Sequence, residues 1–480
     1  MARSSRDRRV QRKAARVRKK LNRRPGQRAR RIGPRKNTGK RKTRKATARH
    51  GLVEAIGKYL PGQFFSQWKV IRGTQWTACR LFWMSILMMF CAEQTLRERF
   101  HESRRTLREL FPKWSLGKSF TGYCKAQLKW TERLTPALIG RLQGQMQQMW
   151  GRWQYREGWC PFAVDGSRLE CPRTEKNKEG LGCAGRARTS PQLFVTTLWH
   201  MGLGIPWDFR IGNGKASERR HLQEMLPDLP AHSLIVGDAG FTGYDYFHAI
   251  LKDHHNFLSR VGANVHLLEN LGYYEHEGSG IVYLWPDQKR KGPPLLLRLI
   301  KLEKGKQQVY LVTNILDPEA LTDQSANLFY EMRWGVEVFY RSTKQTLQRR
   351  KMLSRTPEAA KCELTWVMFG MWLLALMSVS KIVARGAEPL SWSAALARQR
   401  IRRSLRLAVR KGYRDRSLGK DLANAVKDKY ERQGSKEAHD WPRKKNDPPP
   451  GVPKIKSATN AERKAAQRFT TKKTPMWWTA

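Results

Sequence analysis

Four polar residues late in the chain recur at a spacing that suits one face of a helix: Tyr330, Arg333, Glu337 and Lys344. At about 100° per residue they lie within an arc of roughly 60°, and at about 1.5 Å per residue they extend over about 21 Å. The face combines a carboxylate that can hold a metal ion with two cations that can bind phosphate oxygens. Hydrolysis or transfer of a phosphodiester needs this combination. The alternative is a solvated helix face of mixed charge.

Two aspartates follow short apolar segments that are predicted to be buried strands. Asp165 ends the segment 161–165, and Asp238 ends the segment 234–238. The ends of strands in a twisted sheet open a cleft, so both acids are predicted to lie where a substrate can reach them. Residues 192–199 are predicted to form a further strand between the two. This part of the chain is therefore predicted to have an α/β fold.

The spacing of the four polar residues matches without a gap the signature of the insertion-sequence-four family of bacterial DDE transposases. Residues 237–241, with the sequence GDAGF, resemble the second acidic motif of that family. The resemblance covers roughly residues 160–385. It implies an RNase H-like catalytic core, in which a mixed sheet is flanked by helices.

By this resemblance, Asp165, Asp238 and Glu337 would be the catalytic triad and the ligands of two Mg²⁺ ions, with Mn²⁺ as a substitute. Oxygen ligands suit both ions. One ion would activate water or a 3′ hydroxyl, and the other would stabilise the leaving oxygen during in-line displacement. The implied activity is metal-dependent strand cleavage at transposon ends and strand transfer into target DNA, by a cut-and-paste DDE mechanism.

The resemblance also implies DNA contacts for the rest of the signature. Tyr330, Arg333 and Lys344 would bind phosphates of the transposon end near the cleaved strand. The expected partners are the terminal inverted repeats and the target DNA. A homodimer on DNA is expected, because two ends must be cut in concert. No membrane partner is expected, and the expected location is cytoplasmic, on the bacterial nucleoid.

The overall charge agrees with a polyanionic partner. The 480 residues contain 93 Lys plus Arg against 40 Asp plus Glu, a formal net charge of +53. Self-repulsion of this size must be offset by polyanions or salt, which disfavours a neutral metabolic enzyme. The seven cysteines include no CxxC pair. This pattern argues against a disulfide framework or a zinc knuckle and favours a reducing cytoplasm.

Charge and hydrophobic periodicity divide the chain into segments of different character. Residues 1–50 hold 23 Lys or Arg and one acid, so they cannot bury a core. The predicted segments are a disordered basic arm (1–50), a helical DNA-binding domain (51–156), the first part of the RNase H-like core (157–261), a β-strand insertion (262–311), the second part of the core with the catalytic helix (312–385), a basic helical C-terminal region (386–435) and a disordered basic tail (436–480). A plain structural bundle is the alternative for the helical domain.

Two predicted helices lie in the second part of the core. Residues 322–351 contain no proline and begin with a Thr-Asp pair that can act as an N-cap, which predicts one long helix around the signature. Residues 364–380 are 17 consecutive uncharged residues, a length that only just reaches the transmembrane range. Small and polar residues dilute this run, so a buried core helix is predicted in preference to a membrane span.

Two tryptophans and one arginine have open roles. Trp285 and Trp334 are candidates for an aromatic wedge beside a flipped base, as in hairpin-forming relatives, but core packing is the favoured prediction for both. Arg260 follows a predicted strand and is either a DNA contact or a surface cation.

Two other classes of protein account for part of the sequence. A catalytically silent DNA-binding descendant of a transposase would keep the basic surface without an assembled triad, and the intact Asp165, Asp238 and Glu337 argue against it. A ribosomal or nucleoid structural protein would explain the charge but not the signature. The predicted function is a DNA transposase.

Overall fold

The computed structural model describes residues 50–149, 151–183, 190–304, 307–408, 417–428 and 450–470. The predicted basic arm lies outside the described residues, apart from His50. All of the described residues belong to one compact unit, residues 48–480.

The segment that follows the basic arm is mainly helical, as predicted. Two of its helices begin where the sequence supplies a cap: the Thr77 side chain accepts a hydrogen bond from the Arg80 amide, and Thr95 forms a capping box with Glu98. The helices are α1 (Gly51–Gly57), α2 (Ala78–Phe90), α3 (Leu96–Leu110), α4 (Phe120–Met149) and α5 (Gly151–Gln154). DNA binding by this region stays a prediction.

A mixed β-sheet is the central element of the fold. The strands that the structure describes are β1 (Cys160–Glu170), β2 (Gln192–His200), β3 (Ile205–Asn213), β4 (Ser233–Gly237), β5 (Asn256–Val261), β6 (His266–Glu269), β7 (Ile281–Leu284), β8 (Leu295–Lys304), β9 (Gln307–Thr313) and β10 (Lys454–Ser457). They form one sheet in the order β10-β6-β7-β8-β9-β5-β4-β1-β2-β3. Most of the residues in β1, β2 and β4 are buried, as expected for strands covered on both faces.

In the middle of this sheet, β1 extends beyond the end of its neighbour β4. Strand β1 runs antiparallel to β2 and parallel to β4, and β4 runs parallel to β5. The last paired residues of β1 and β4 are Ala163 and Val236, yet β1 continues to Glu170 while β4 ends at Gly237. Beyond that point β1 keeps its pairing with β2 only, which leaves an open notch at the end of β4.

Helices cover both faces of the sheet at this notch. The remaining described helices are α6 (Glu175–Leu181), α7 (Glu218–Gln223), α8 (Tyr244–Lys252), α9 (Asp323–Met332), α10 (Trp334–Arg341), α11 (Pro357–Val383), α12 (Ala394–Ala408), α13 (Leu418–Ala423) and α14 (Asn460–Thr470). Trp199 of β2 packs against Phe339 of α10, with ring centroids 5.1 Å apart. Thr196 of β2 is hydrogen-bonded to His221 of α7 at 2.8 Å. Because side chains alternate along a strand, α10 and α7 lie on opposite faces.

Helix α11 joins the sheet to the helical region. It packs against β3 on one side and against α2 and α4 on the other. Gly370 permits the approach of α2, since a Cβ atom at that position would lie 2.1 Å from the Met89 Cε atom. This helix is long and apolar enough to cross a membrane, but 83% of its most apolar window is buried inside the protein. It is a core helix, as predicted for residues 364–380.

The prediction of one unbroken helix over residues 322–351 is wrong. Helix α9 ends at Met332, α10 begins at Trp334, and a π-helical turn (Ser342–Thr346) follows. The helical path stops before Lys351, because Gln348 adopts a left-handed backbone conformation with φ 56°. Instead, Lys351 forms a parallel bridge with Glu170 at the end of β1.

The region predicted to be a β-strand insertion is part of the same sheet. Strands β6 to β8 extend it beyond β9, which itself pairs antiparallel with β5. At the outer edge, β10 adds to β6 in parallel register. Residues 450–470 were predicted to belong to a disordered tail, but they form β10 and α14. The apolar side chains of Ala466 and Phe469 explain this difference, since they pack in a small cluster with Trp285.

Candidate active site

Asp165 and Asp238 lie side by side at the notch. Each stands two residues beyond the last pair of β1 and β4, in which Ala163 lies opposite Val236. Neighbouring strands are about 4.8 Å apart, and residues separated by two positions point to the same face. The register of two parallel strands therefore brings together two acids that are distant in the chain.

Glu337 reaches the notch from α10. This helix packs against β1 and β2, and its Tyr340 hydroxyl donates hydrogen bonds to the Asp165 carbonyl oxygen at 2.9 Å and to the Val195 carbonyl oxygen at 3.2 Å. Residues three positions apart share a helix face, so Glu337 lies on the face that Tyr340 fixes to β1. Burial raises the pKa of the Tyr340 phenol well above its usual value, so the hydroxyl remains a donor.

The carboxylates of the site perturb one another. The pKa of Asp165 is raised to about 7, mainly by burial; a hydrogen bond from the Gly166 amide opposes the rise, and the charges of Asp238, Glu218 and Glu337 contribute to it. Burial is also the main cause that raises the pKa of Glu337, and the charge of Asp238 adds to it. Burial and mutual repulsion therefore both disfavour the ionised form of these carboxyl groups.

Arg333, Glu337 and Tyr330 form one contact group, as the helix-face spacing predicted. The Arg333 Nη1 atom lies 3.2 Å from Glu337 Oε1, and its guanidinium carbon lies 5.5 Å from the centroid of the Tyr330 ring. Arg333 is only 8% exposed. Among the described residues its buried Nε atom has no hydrogen-bond partner, so a donor remains for an anionic ligand. Arg260 Nη1 donates to the Tyr330 hydroxyl at 3.4 Å.

Lys344 lies near enough to Asp165 for the two charges to interact. Burial is the main cause that lowers the pKa of its ammonium group, and Arg350 lowers it further, whereas the charge of Asp165 opposes both. The structure thus brings together all six residues that were predicted for the site. Their catalytic and DNA-binding roles stay predictions.

The donor atoms of the triad fit a hard divalent cation. Asp165, Asp238 and Glu337 offer carboxylate oxygens only, the ligand type that Mg²⁺ and Mn²⁺ use, and the mutual repulsion of these acids would be relieved by a bound cation. In the part of the chain that the structure describes, no three His, Cys, Asp or Glu side chains are close enough together to hold an ion. The three carboxylates must therefore come closer together before they can hold one between them.

The two tryptophans of open role differ in environment. Trp285 is 3% exposed and donates from Nε1 to the Gly292 carbonyl oxygen at 2.9 Å, so core packing is confirmed for it. Trp334 is 50% exposed, and the prediction that it packs in the core is wrong. As the first residue of α10 it points away from the sheet, because Phe339 and Tyr340 occupy the face that packs against β1 and β2.

Sequence reasoning missed one acid at the site, Glu218 of α7. Its charge raises the pKa of Asp165, and the charge of Asp238 acts on Glu218 in turn. The only local signal is the N-cap, in which the Ser217 side chain accepts a hydrogen bond from the Arg220 amide. An N-cap predicts a helix start but carries no information about the residues that the helix will face.

Comparison with known proteins gives two matches to transposases. Residues 159–374, which span β1 to most of α11, match the family model described as a transposase DDE domain. The chain is 24% identical over 255 residues to the Transposase InsG for insertion sequence element IS4 of Escherichia coli (strain K12). These matches confirm the resemblance to a DDE transposase of the insertion-sequence-four type that the signature predicted. The alignment covers 49% of this chain and 57% of that relative.

A solved structure also shows a distant similarity. It is the cryo-EM structure of the piggyBac transposase synaptic complex with hairpin DNA, which is 12% identical to this chain with a TM-score of 0.39. The superposition covers 79% of this chain and 83% of that one.

Proposed function

We propose that this protein is a DNA transposase that cleaves strands at transposon ends and transfers them into target DNA by a metal-dependent cut-and-paste mechanism. The observation that carries the proposal is the convergence of Asp165, Asp238 and Glu337 at the notch beside β4, where burial and mutual repulsion act on the same group of carboxylates. The match of this segment to a transposase DDE domain supports the same chemistry.

The proposal includes an RNase H-like core. The central strands follow the order β3-β2-β1-β4-β5, with β2 antiparallel to its neighbours and β1, β4 and β5 parallel. Helices lie on both faces of these strands, and the acids stand at the carboxyl end of β4 and in the adjoining part of β1. This arrangement supports a single cleft in which the triad faces the substrate.

In the proposed mechanism Asp165, Asp238 and Glu337 would hold divalent cations. Such cations, when bound, activate the attacking oxygen and stabilise the leaving oxygen of a phosphodiester. The Tyr340 hydroxyl fixes α10 to β1 through the Asp165 carbonyl oxygen and to β2 through the Val195 carbonyl oxygen, so Glu337 is held beside Asp165. The protein thus supplies positioned oxygen ligands in a half-buried, electrostatically strained site.

The cations of the signature would bind the DNA backbone. Arg333 keeps an unpartnered donor beside Glu337, and Lys344 lies near Asp165. Both are therefore placed to bind phosphate oxygens next to the scissile bond, with Tyr330 packed against Arg333. The net charge of +53 supports a polyanionic partner. We include a homodimer on paired transposon ends in the proposal.

A cleavage assay with the full chain and the DNA that flanks its coding region tests the proposal. Glu337→Gln should abolish Mg²⁺-dependent nicking, because it removes a ligand charge, and should leave binding to the ends nearly unchanged. Glu331→Gln is the matched control, since Glu331 is an exposed acid on the preceding helix. Equal loss of cleavage and binding in Glu337→Gln would contradict the catalytic assignment. DNA binding by the wild type without cleavage in any metal would favour a catalytically silent descendant.

A further inference from the structure

An open groove lies between helix α12 and the helical region. Helix α12 packs against α2 and α3, and the Arg402 Nε atom fixes it there by donating to the Phe90 carbonyl oxygen at 3.1 Å. The groove has a volume of about 390 Å³, and three arginines of α12 line it: Arg398, Arg402 and Arg406. Because they are four residues apart, they share one face of the helix. We call this feature the arginine groove.

The three guanidinium groups have no carboxylate partner in the described part of the chain. Glu93 and Glu102 also line the groove, but Glu102 pairs with Arg105 at 2.8 Å, and Glu93 forms no ion pair with the arginines within the described ranges. The Arg398 Nε and Arg402 Nη2 atoms are buried there without a hydrogen-bond partner. The arginine groove therefore keeps hydrogen-bond donors and positive charge that an anion can use.

The cations in and around the groove repel one another. The pKa of Arg398 is lowered to about 10, mainly by burial and in part by the charge of Arg402. The pKa of the buried Arg349 is lowered to about 9, mainly by burial; the charges of Arg99 and Arg398 contribute to this, and the charge of Glu363 opposes it. A bound anion would relieve this repulsion.

The arginine groove lies close to one end of the signature. Helix α12 packs against the π-helical turn (Ser342–Thr346) that carries Lys344. The first residues of α12, Ala394 and Ala395, line a second cavity together with this turn, and Ala395 also lines the arginine groove. The three arginines therefore follow directly along the helix from the point where α12 contacts the signature.

We propose that the arginine groove binds the phosphate backbone of the DNA that occupies the active site, beyond the phosphates bound by Lys344. The inference rests on the proposed transposase function and adds a second phosphate-binding surface to it. From Arg398 to Arg406 the helix rises about 12 Å at about 1.5 Å per residue. One strand of duplex DNA carries a phosphate about every 3.4 Å along its axis, so the row is long enough to contact at least two phosphates. Guanidinium groups suit this role, because each can donate two parallel hydrogen bonds to phosphate oxygens.

Fluorescence anisotropy of a labelled duplex tests this role without relying on activity. The duplex is taken from the DNA that flanks the coding region, and its binding to the full chain is measured in EDTA over a salt series. Arg398→Gln/Arg406→Gln should reduce the slope of log affinity against log salt by about two, and should raise Kd at about 0.1 M salt by about tenfold or more, because two phosphate contacts are lost. Arg402 is left in place, since it holds α12 to Phe90.

The matched control is Arg400→Gln/Arg403→Gln. It removes the same charge from the same helix, but neither residue lines the groove. Arg400 also resembles Arg398 in having a buried Nε atom without a hydrogen-bond partner in the described ranges. Both double variants should keep the melting temperature of the wild type within about 2 °C, the range of ordinary surface substitutions.

A change of opposite sign provides a further check. Glu93→Gln should lower Kd by about two- to threefold, because it removes a charge that repels phosphate from the groove. A variant that was merely misfolded would bind DNA more weakly, so a tighter complex supports the role of the groove. An unchanged or raised Kd for Glu93→Gln would contradict it.

The remaining outcomes separate the groove from the proposed function. If the wild type cleaves the flanking DNA and Arg398→Gln/Arg406→Gln binds it no more weakly than the control pair does, the role of the groove is overturned and the proposed function stands. If the wild type neither binds nor cleaves this DNA, the proposed function fails and the role of the groove fails with it. If the wild type is a dimer without DNA and Arg398→Gln/Arg406→Gln is a monomer, the groove binds a second copy of the chain and its assignment to DNA is overturned.

Discussion

Replacement of Asp165 by asparagine should stabilise the metal-free protein at alkaline pH. Burial and the neighbouring acids raise the pKa of Asp165 to about 7 in the folded state, from a model value of 3.8. The folded chain therefore binds more protons than the unfolded chain between these two values, so its stability falls as the pH rises through this window. Asp165→Asn removes the titrating group and with it this loss.

The size of the effect follows from the shift. A difference of about three pKa units at about 1.36 kcal/mol each corresponds to an upper limit of about 4 kcal/mol above pH 7. Because Asp165 retains some contact with solvent, we expect a gain of about 2 to 4 kcal/mol for the variant at pH 8 and almost none near pH 4. Mg²⁺ should narrow the gap at pH 8, because it stabilises only the wild type.

Urea unfolding in EDTA at several pH values measures this difference. Glu303→Gln is a suitable control, since Glu303 is an exposed acid on β8 of the same sheet, and its effect should not depend on pH in this way. The reasoning is refuted if Asp165→Asn is less stable than the wild type at pH 8. It is also refuted if the gap between the two proteins is the same at pH 5 and pH 8.

Two further predictions concern DNA binding and the core. Lys344→Ala should weaken binding to cleaved transposon ends and reduce the slope of log affinity against log salt by about one, because one phosphate contact is lost. Filter binding over a salt series measures this slope, with the exposed Lys351 replaced by alanine as the control. An unchanged slope for Lys344→Ala would count against a phosphate contact. His200 is fully buried, its Nδ1 accepts a hydrogen bond from the Leu203 amide at 3.2 Å, and burial lowers its pKa to about 3. Since the pKa of His200 in the folded state lies below its unfolded value, the free energy of unfolding should fall with falling pH, by about 2 kcal/mol between pH 7 and pH 5. Urea titrations of His200→Gln should not show this loss. An equal pH dependence in the wild type and His200→Gln would show that His200 is not responsible.

The path of the chain around the signature was only partly predictable. The spacing of Tyr330, Arg333 and Glu337 was sufficient to place them in contact, because residues three and four apart on a helix are neighbours whatever the tertiary structure. The end of the helical segment at Gln348 could not be predicted from the sequence, since the left-handed backbone conformation there accompanies a bridge between Lys351 and the distant Glu170. The exposure of Trp334 could not be predicted either, because it depends on which face of α10 packs against the sheet.

The sequence by itself determined the features that depend on near neighbours and on composition: the helix face of the signature, the acid directly after the short apolar run of β4, and a charge that favours a polyanionic partner. The prediction that Asp165 ends its strand is wrong, because β1 continues to Glu170 through its pairing with β2. Only the tertiary structure decided that the register of β1 and β4 sets Asp165 beside Asp238, and that α7 brings Glu218 to them from the opposite face. It also decided that residues 450–470 extend the sheet at its far edge. Such contacts join residues far apart in the chain, and their free energy depends on the packing of the whole fold rather than on any local pattern.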